Sequence, residues 1–194
     1  TPEPVRRRVA GMKTTLAILL ALSLGMSAVG DEKVKRFEAT KVRAEKGNAA
    51  SQFNLGVMYE RGWGVQRDFR EAVKWWRKAA DQKVANAQSN LGLMYHDGLG
   101  VKQDFKEAVK WFQKAADQGE ATAQFNLGFM YNRGEGVPRD DKEAVKWLRK
   151  AADQKFARAQ NRLGFMYHNG YGVQRDFREA LKWYQKAADQ GNAM

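Results

Sequence analysis

Few residues of this chain are of the types that carry out chemistry. The sequence has no cysteine and two histidines, His96 and His168. The lack of thiols excludes disulfides, thiolate metal sites and a cysteine nucleophile. The histidines stand at the same position in the second and fourth copies of an internal repeat. Because packed helices lie about 8–10 Å apart, two repeat steps separate the rings too far to share one metal ion, and we expect no metal, no cofactor and no catalytic residue.

Paired carboxylates recur along the chain, but their spacing indicates helix capping rather than acid–base catalysis. Each copy carries Asp-x-x-Glu at the predicted start of its second helix: Asp68/Glu71, Asp104/Glu107, Asp140/Glu143 and Asp176/Glu179. In such a capping box both side chains accept hydrogen bonds from backbone N–H groups that a helix start leaves unpaired. A Gly-x-Gly-Val element precedes each pair; it follows a helix and lacks a following Gly-Lys-Ser/Thr, so it predicts a turn and not a phosphate loop.

These elements belong to a unit that recurs every 36 residues, in complete copies at 47–82, 83–118, 119–154 and 155–190. One such unit cannot bury its apolar face alone, so the copies must stack into an elongated solenoid. Residues 191–194 repeat the opening of the first copy, which predicts a truncated fifth repeat. We therefore expect the fourth copy to expose apolar surface.

Each copy is predicted to form two helices. The first carries Ala-Gln-x-x-Leu-Gly-x-Met-Tyr, with Ser51 in place of the alanine in the first copy. Its apolar residues fall on one helical face, and it ends at a glycine suited to a left-handed cap. Its mid-helix glycine predicts a close helix–helix contact. The second helix has a buried stripe, in the first copy Ala72, Val73, Trp76, Ala79 and Ala80. A further tryptophan in every copy, Trp75, Trp111, Trp147 or Trp183, is interpreted as a packing anchor, and 31–46 as an N-terminal capping helix with Ala39 and Ala44 in the core.

The start of the chain has the order of a secretory signal peptide. Lys13 precedes the apolar run 16–24, and the small residues Ala28 and Gly30 come just before Asp31. This order predicts a signal within 1–30, cleavage after Gly30 and a periplasmic or secreted protein. The alternative is an uncleaved anchor, but 14–29 is shorter than the roughly 20 apolar residues of a spanning helix.

The repeat resembles the Sel1-like repeat family, relatives of the tetratricopeptide repeat: Ala-Gln-x-x-Leu-Gly-x-Met-Tyr-x-x-Gly-x-Gly-Val, then Asp-x-x-x-Ala-x-x-Trp-x-x-Lys-Ala-Ala. This resemblance implies an all-α, right-handed α-solenoid that acts as a non-enzymatic protein-interaction scaffold. Some family members are associated with β-lactam binding or hydrolysis, so an envelope hydrolase is the alternative. Those members are rich in cysteine, unlike this chain, and the chain also lacks the Ser-x-x-Lys signature of serine β-lactamases.

Five first-helix positions differ between the copies and fall on one helical face, away from the Leu/Met/Tyr stripe. In the tetratricopeptide relatives the corresponding face lines a concave groove, so we expect a protein or peptide partner there. Exposed phenylalanines would form apolar centres, and asparagines would bond the partner's backbone. The predicted binding residues are Phe53, Asn54, Val57, Arg61, Asn90, Leu93, His96, Phe125, Asn126, Phe129, Arg133, Asn161, Phe165 and His168.

The net charge of +12 is concentrated on the second helices. Basic residues step there at i+4 in each copy, as in Arg70, Lys74 and Lys78. We interpret these rows as a solvated outer face interleaved with glutamates. The second interpretation is peripheral association with anionic envelope polymers or lipid headgroups. No nucleic-acid partner is expected, because export would separate the chain from it.

Overall fold

The computed structural model describes residues 30–191, and every regular element within this range is an α-helix. The predicted signal peptide therefore lies outside the described residues, except for Gly30. The helices are α1 (30–45), α2 (Ala49–Arg61), α3 (Phe69–Asp81), α4 (Ala85–Asp97), α5 (Phe105–Asp117), α6 (Ala121–Arg133), α7 (Asp141–Asp153), α8 (Ala157–Asn169) and α9 (Phe177–Ala188). Among the described helices, none has the length and apolar character that crossing a membrane requires.

Helices that follow one another in the chain pack against one another from α2 to α9, so the protein is an all-α solenoid. Its apolar core lies largely between neighbouring repeats. One cluster joins Trp76 of α3 to Leu91 of α4, and equivalent clusters join α5 to α6 and α7 to α8. The predicted stripe of α3 is buried throughout: Ala72, Val73, Trp76, Ala79 and Ala80. Each copy thus completes the core of the copy before it, as stacking requires.

The tryptophan that recurs in every second helix packs onto the preceding element. Trp75 shares a cluster with Phe37 and Ala44 of α1. The equivalent residues Trp111, Trp147 and Trp183 join the clusters built on the preceding second helices. A lysine ammonium lies 3.9–4.2 Å above each of the four rings. The interpretation of these tryptophans as packing anchors is confirmed.

The mid-helix glycine of each first helix allows the second helix to approach. In the second copy, a Cβ atom on Gly92 would lie 2.5 Å from the buried ring of Phe112. Glycine is helix-destabilising by about 1 kcal/mol relative to alanine, but here it makes room for a large core side chain. The predicted close contact is confirmed.

The structure confirms the predicted glycine and aspartate caps at the helix ends but not the predicted bond of the glutamate. Each first helix ends at a glycine with left-handed backbone, at φ 68–73°. Each second helix begins after an aspartate whose carboxylate accepts from first-turn N–H groups, as Asp68 does from Arg70 at 2.8 Å. The glutamate half of the predicted capping box is wrong. The N–H of Asp68 donates instead to the Tyr59 carbonyl at 2.9 Å, and Glu71 pairs with Lys74 at 3.0 Å.

The first and last described helices, α1 and α9, differ from the helices between them in which of their apolar residues are buried. In α1 the buried residues are Phe37, Thr40 and Ala44, whereas Ala39 is exposed, so the assignment of Ala39 to the core is wrong. The buried face of α1 follows the i, i+3, i+7 spacing, which leaves Ala39 on the opposite side. In α9, Leu181 is 67% exposed, although Val145 at the equivalent position of the preceding copy is 6% exposed. The predicted apolar surface on the fourth copy is confirmed.

A buried glutamine in each first helix links successive repeats. Gln124 donates to the Ala116 carbonyl at 3.2 Å and accepts from Gln154 at 2.8 Å. Gln154 also donates to the Gly119 carbonyl at 2.9 Å. Equivalent bonds form around the buried residues Gln52, Gln88 and Gln160. The glutamine of the Ala-Gln pair therefore satisfies buried backbone between copies.

We expect Gln124→Ala to lower the free energy of unfolding by about 1–3 kcal/mol, since it leaves the Ala116 carbonyl buried without this donor. Urea denaturation followed by circular dichroism measures the change. Gln185→Ala is the control, because Gln185 is exposed and bonds only within its own helix region, to Asp189. An equal loss in both variants would contradict a role for the inter-repeat bonds.

Candidate functional site

The variable positions of α2, α4, α6 and α8 form one surface, here called the first-helix face. The structure places the residues that the sequence predicts for binding on it at very different depths. Exposed are Asn54, Arg61, Arg133, Phe165 and His168; partly buried are Phe53, Val57, Asn90, Leu93, His96, Asn126, Phe129 and Asn161; Phe125 is buried. The face is therefore less apolar at its surface than the sequence suggests.

Phe125 is the clearest departure from the predicted exposed phenylalanines. Its side chain is 8% exposed. Its ring centroid lies 5.6 Å from that of Phe156, in the loop before α8, and the Arg158 guanidinium lies 4.9 Å from the ring. The expectation that Phe125 offers an open apolar centre is wrong, because the next repeat covers the ring.

Two cavities indent the first-helix face. The first, the arginine pocket, has a volume of about 380 Å³ and is lined by Phe125, Phe129, Arg158, Asn161, Arg162, Phe165 and Tyr184. The second, the asparagine pocket, has about 270 Å³ and is lined by Leu93, His96, Asp97, Phe112, Thr122, Phe125, Asn126, Phe129, Met130 and Arg158. The two share Phe125, Phe129 and Arg158, so they are neighbouring parts of one groove running from α4 to α8.

The asparagine pocket contains an unused donor. The Nδ2 atom of Asn126 is buried and has no hydrogen-bond partner in the described part of the chain. Buried polar atoms are nearly always hydrogen-bonded in folded proteins. Asn126 lines the pocket, and a rotation of its side chain toward the pocket would let this amide donate to the carbonyl of an extended segment, which is the role that the sequence predicts for this asparagine.

The arginine pocket depends on a residue that sequence reasoning missed. Arg162 occupies the position that is asparagine in the three earlier copies, and that break in the pattern is the signal that could have identified it. Its guanidinium donates to the Oδ1 of buried Asn132, whose Nδ2 donates to Asp141 at 2.6 Å. Burial, and then the charge of Arg133, lower the pKa of Arg162. The side chain is thus held in place by a polar network behind the pocket.

Asp141 is the acidic member of this network. The Arg139 guanidinium, bonded to it at 2.7 Å, and the Asn132 amide hold the pKa of Asp141 below its ordinary value of 3.8. A carboxyl whose pKa is lower in the folded state stabilises the fold above its ordinary pKa, and this contribution is lost as pH falls through the folded value.

We therefore expect the stability of the wild-type chain to fall more steeply below about pH 4 than that of Asp141→Asn. Thermal unfolding of the two proteins across the acid range measures the difference. Parallel pH profiles would show that Asp141 has the same pKa in the folded and unfolded states.

The two histidines lie in separate surroundings. His96 Nδ1 is 2.6 Å from Asp97 and its Nε2 is 3.3 Å from Glu135. His168 is exposed, and its ring centroid lies 5.1 Å from that of Phe177. Across residues 30–191, no group of three or more His, Cys, Asp or Glu side chains is arranged to hold a metal ion.

A third cavity lies at the N-terminal end of the first-helix face. It has a volume of about 520 Å³ and is lined by Lys33, Arg36, Thr40, Arg43, Asn54, Val57, Met58 and Trp63. Trp63 is half exposed, and the Arg61 guanidinium lies 6.0 Å from its ring centroid. Asn54 and Val57, both among the predicted binding residues, contribute to this cavity.

The basic rows lie exposed on the second helices. Many of their charges already interact with a glutamate or a tryptophan ring of the same helix. The middle lysine of each row pairs with the glutamate three residues earlier, at 2.5–3.3 Å. The last lysine of each row is the one that lies over the recurrent tryptophan. This face resembles a solvated surface with local charge pairing.

Comparison with known proteins places the repeat in a family. The sequence model of the Sel1 repeat matches residues 49–84, 85–120, 121–156 and 157–192. The structure is similar to that of c5321, a protective antigen of uropathogenic Escherichia coli strains, with a TM-score of 0.78 and 46% identity over 80% of this chain and 33% of that one. A Sel1 repeat protein from Oxalobacter formigenes has a TM-score of 0.78 and 36% identity, over 82% of this chain and 63% of its own.

Among curated proteins, DAP3-binding cell death enhancer 1 of Rattus norvegicus is 51% identical over 37 residues, which are 19% of this chain and 7% of that protein. The chain thus spans a small part of this relative, a third of the c5321 antigen and less than two thirds of the Oxalobacter protein. Sel1 repeat proteins are generally protein-interaction scaffolds, and their fold is typically non-catalytic. With four matched repeats that cover most of its length, this chain belongs to the Sel1 repeat family.

Proposed function

We propose that this protein is a non-enzymatic interaction scaffold that binds a protein or peptide segment in the groove of its first-helix face. The observation that carries the proposal is the pair of adjoining cavities that share Phe125, Phe129 and Arg158. An extended segment can lie across both cavities, with side chains in the pockets and its backbone at the Asn126 amide.

Two further observations support this assignment. Phe165 is 38% exposed at the edge of the arginine pocket, and aromatic side chains at pockets of this kind are common sites of strong contact with partners. Five positions of the first-helix face also differ between the four copies, whereas the neighbouring Leu, Gly, Met and Tyr of the same helices recur in all four. The rat relative is named for binding the protein DAP3, which agrees with binding as the role of such repeats.

A random-peptide library displayed on phage tests the proposal directly. The full chain is expected to enrich a family of related peptides, and the double variant Phe129→Ser/Phe165→Ser is expected to lose them. Leu181→Ser is the matched control, because it removes an apolar side chain that is more exposed than Phe165 and lines neither cavity of the groove. Enriched peptides that bind the double variant as well as wild type would contradict the proposal.

The N-terminal segment supports a second proposal, about the site of action. We propose that the protein works outside the cytoplasm, supported by Lys13, the apolar run 16–24 and the small residues before Asp31. Residues 1–46 fused to alkaline phosphatase, which is active only after export to an oxidising compartment, should give an active reporter in bacteria. An inactive reporter, retained in the cytoplasm, would contradict export.

A further inference from the structure

The arginine pocket combines positive charge with aromatic walls. The guanidinium of Arg162 lies 4.8 Å from the ring centroid of Phe165 and 5.6 Å from that of Phe129. The guanidinium of Arg133 also lies over the Phe129 ring, 4.7 Å from its centroid. Arg158 completes the pocket above Phe125. Three cations therefore surround the same small group of rings.

This charge has no acidic partner within the pocket. None of the side chains of residues 30–191 that line it carries a carboxylate. Asp141 pairs with Arg139 at 2.7 Å, and Glu135, 3.4 Å from Arg133 at the rim, offsets the charge of Arg133, so the surplus positive charge of the pocket is that of Arg158 and Arg162. Burial is the main cause of the lowered pKa of Arg162; the charge of Arg133 lowers it further and the charge of Asp141 opposes this. A bound anion would relieve the repulsion between neighbouring arginines.

Arg162 is held at the wall of the pocket. Its side chain lines the pocket and its terminal nitrogen is fixed by Asn132, whereas its Nε atom is buried and has no hydrogen-bond partner among the described residues. A guanidinium held in this way is already oriented, and arginine recognises carboxylates through parallel hydrogen bonds. The buried Asn126 amide in the adjoining pocket is a second unused donor, suited to a backbone carbonyl.

We propose that the arginine pocket binds an acidic peptide segment, with an apolar side chain of the segment against Phe129 and Phe165 and its flanking carboxylates on Arg158 and Arg162. The proposal rests on the function proposed above and names the chemistry of the partner. The aromatic walls favour a peptide over a bare phosphate polymer, because a phosphate group has no apolar surface to bury against them, whereas an aromatic or aliphatic side chain has.

A fluorescent peptide with a central phenylalanine flanked by glutamates is the probe, and the same peptide with glutamines in place of the glutamates is its neutral match. Titrated into the full chain and followed by fluorescence anisotropy, the acidic peptide should bind at least about tenfold more tightly than the neutral one, as expected for charge-assisted hydrogen bonds. Arg158→Gln and Arg162→Gln should each weaken the acidic peptide by about tenfold and leave the neutral peptide nearly unaffected.

Lys142→Gln is the control, since it removes the same charge from an exposed position on a second helix. Arg158 is exposed, so its variant reports on binding even if Arg162→Gln disturbs the buried network and fails to fold. Equal affinity for the two peptides, loss of binding in Lys142→Gln to the same extent as in Arg158→Gln, or no binding of the acidic peptide would each overturn the proposal. Library peptides that need Phe129 and Phe165 but carry no acidic residues would overturn it while the proposed function stands.

Discussion

Gly136→Ala should destabilise the solenoid by about 2–5 kcal/mol, the sum of the cost of a left-handed backbone and the cost of overpacking. Gly136 has φ +73°, and a Cβ atom on it would overlap the backbone of Phe105 and Lys106, at the start of the second helix of the preceding copy. The backbone of one repeat therefore touches the backbone of the next at this glycine. Urea unfolding monitored by circular dichroism measures the loss.

Gly134→Ala separates the two costs. Gly134 has nearly the same backbone angle, φ +72°, but its nearest neighbour would be the Cβ atom of Arg139 at 3.3 Å, within the same turn. We expect a loss of about 1–2 kcal/mol from the backbone angle alone. If both variants lose the same stability, contact between the repeats adds nothing and the stacking described for the turns is incorrect.

The second large effect is expected from Trp76→Ala, at about 3–5 kcal/mol. Trp76 is fully buried beneath Gly56 and donates from its indole nitrogen to the Phe53 carbonyl at 3.2 Å. Removal of the ring leaves a large cavity between α2 and α3, and it also leaves that carbonyl without this donor. Thermal and chemical unfolding both report the change.

Two control variants show whether the loss comes from the buried ring of Trp76. Trp76→Phe should lose much less, because the second copy places Phe112 at the equivalent position, where it is 1% exposed. Trp63→Ala removes a tryptophan that is 50% exposed and should change stability by no more than about 0.5 kcal/mol. A large loss from Trp63→Ala, or none from Trp76→Ala, would contradict the assignment of the core.

The sequence predicts the solenoid well because its determinants are local and recur in each copy. The capping glycines and the aspartates before the second helices bond to groups only a few residues away in the sequence. The apolar stripe of α3 likewise follows from the spacing of residues within one helix. The glutamate of the capping box was assigned wrongly because a distant group competes with it. The carbonyl of Tyr59, nine positions before Asp68, takes the backbone N–H that the glutamate was expected to bind.

The candidate site is harder to predict because equivalent positions in different copies have different neighbours. Phe53 and Phe125 share a position, yet Phe125 is buried beneath Phe156 and Arg158, and these two residues have no aromatic or basic equivalents beside Phe53. The asparagine that recurs in the first three copies does not predict Arg162, because the charge of the site comes from the one copy that departs from this pattern. The exposure of Phe125 depends on residues of the next repeat, so the sequence of its own repeat does not predict it.

A crystal structure of the full chain with a library-selected peptide would test the central claim most directly. We predict that the peptide lies on the first-helix face between α4 and α8, with a side chain against Phe129 and Phe165 and a backbone carbonyl at the Asn126 amide. A peptide bound across the basic rows of the second helices, with the groove unoccupied, would contradict the account of this protein as a groove-binding scaffold.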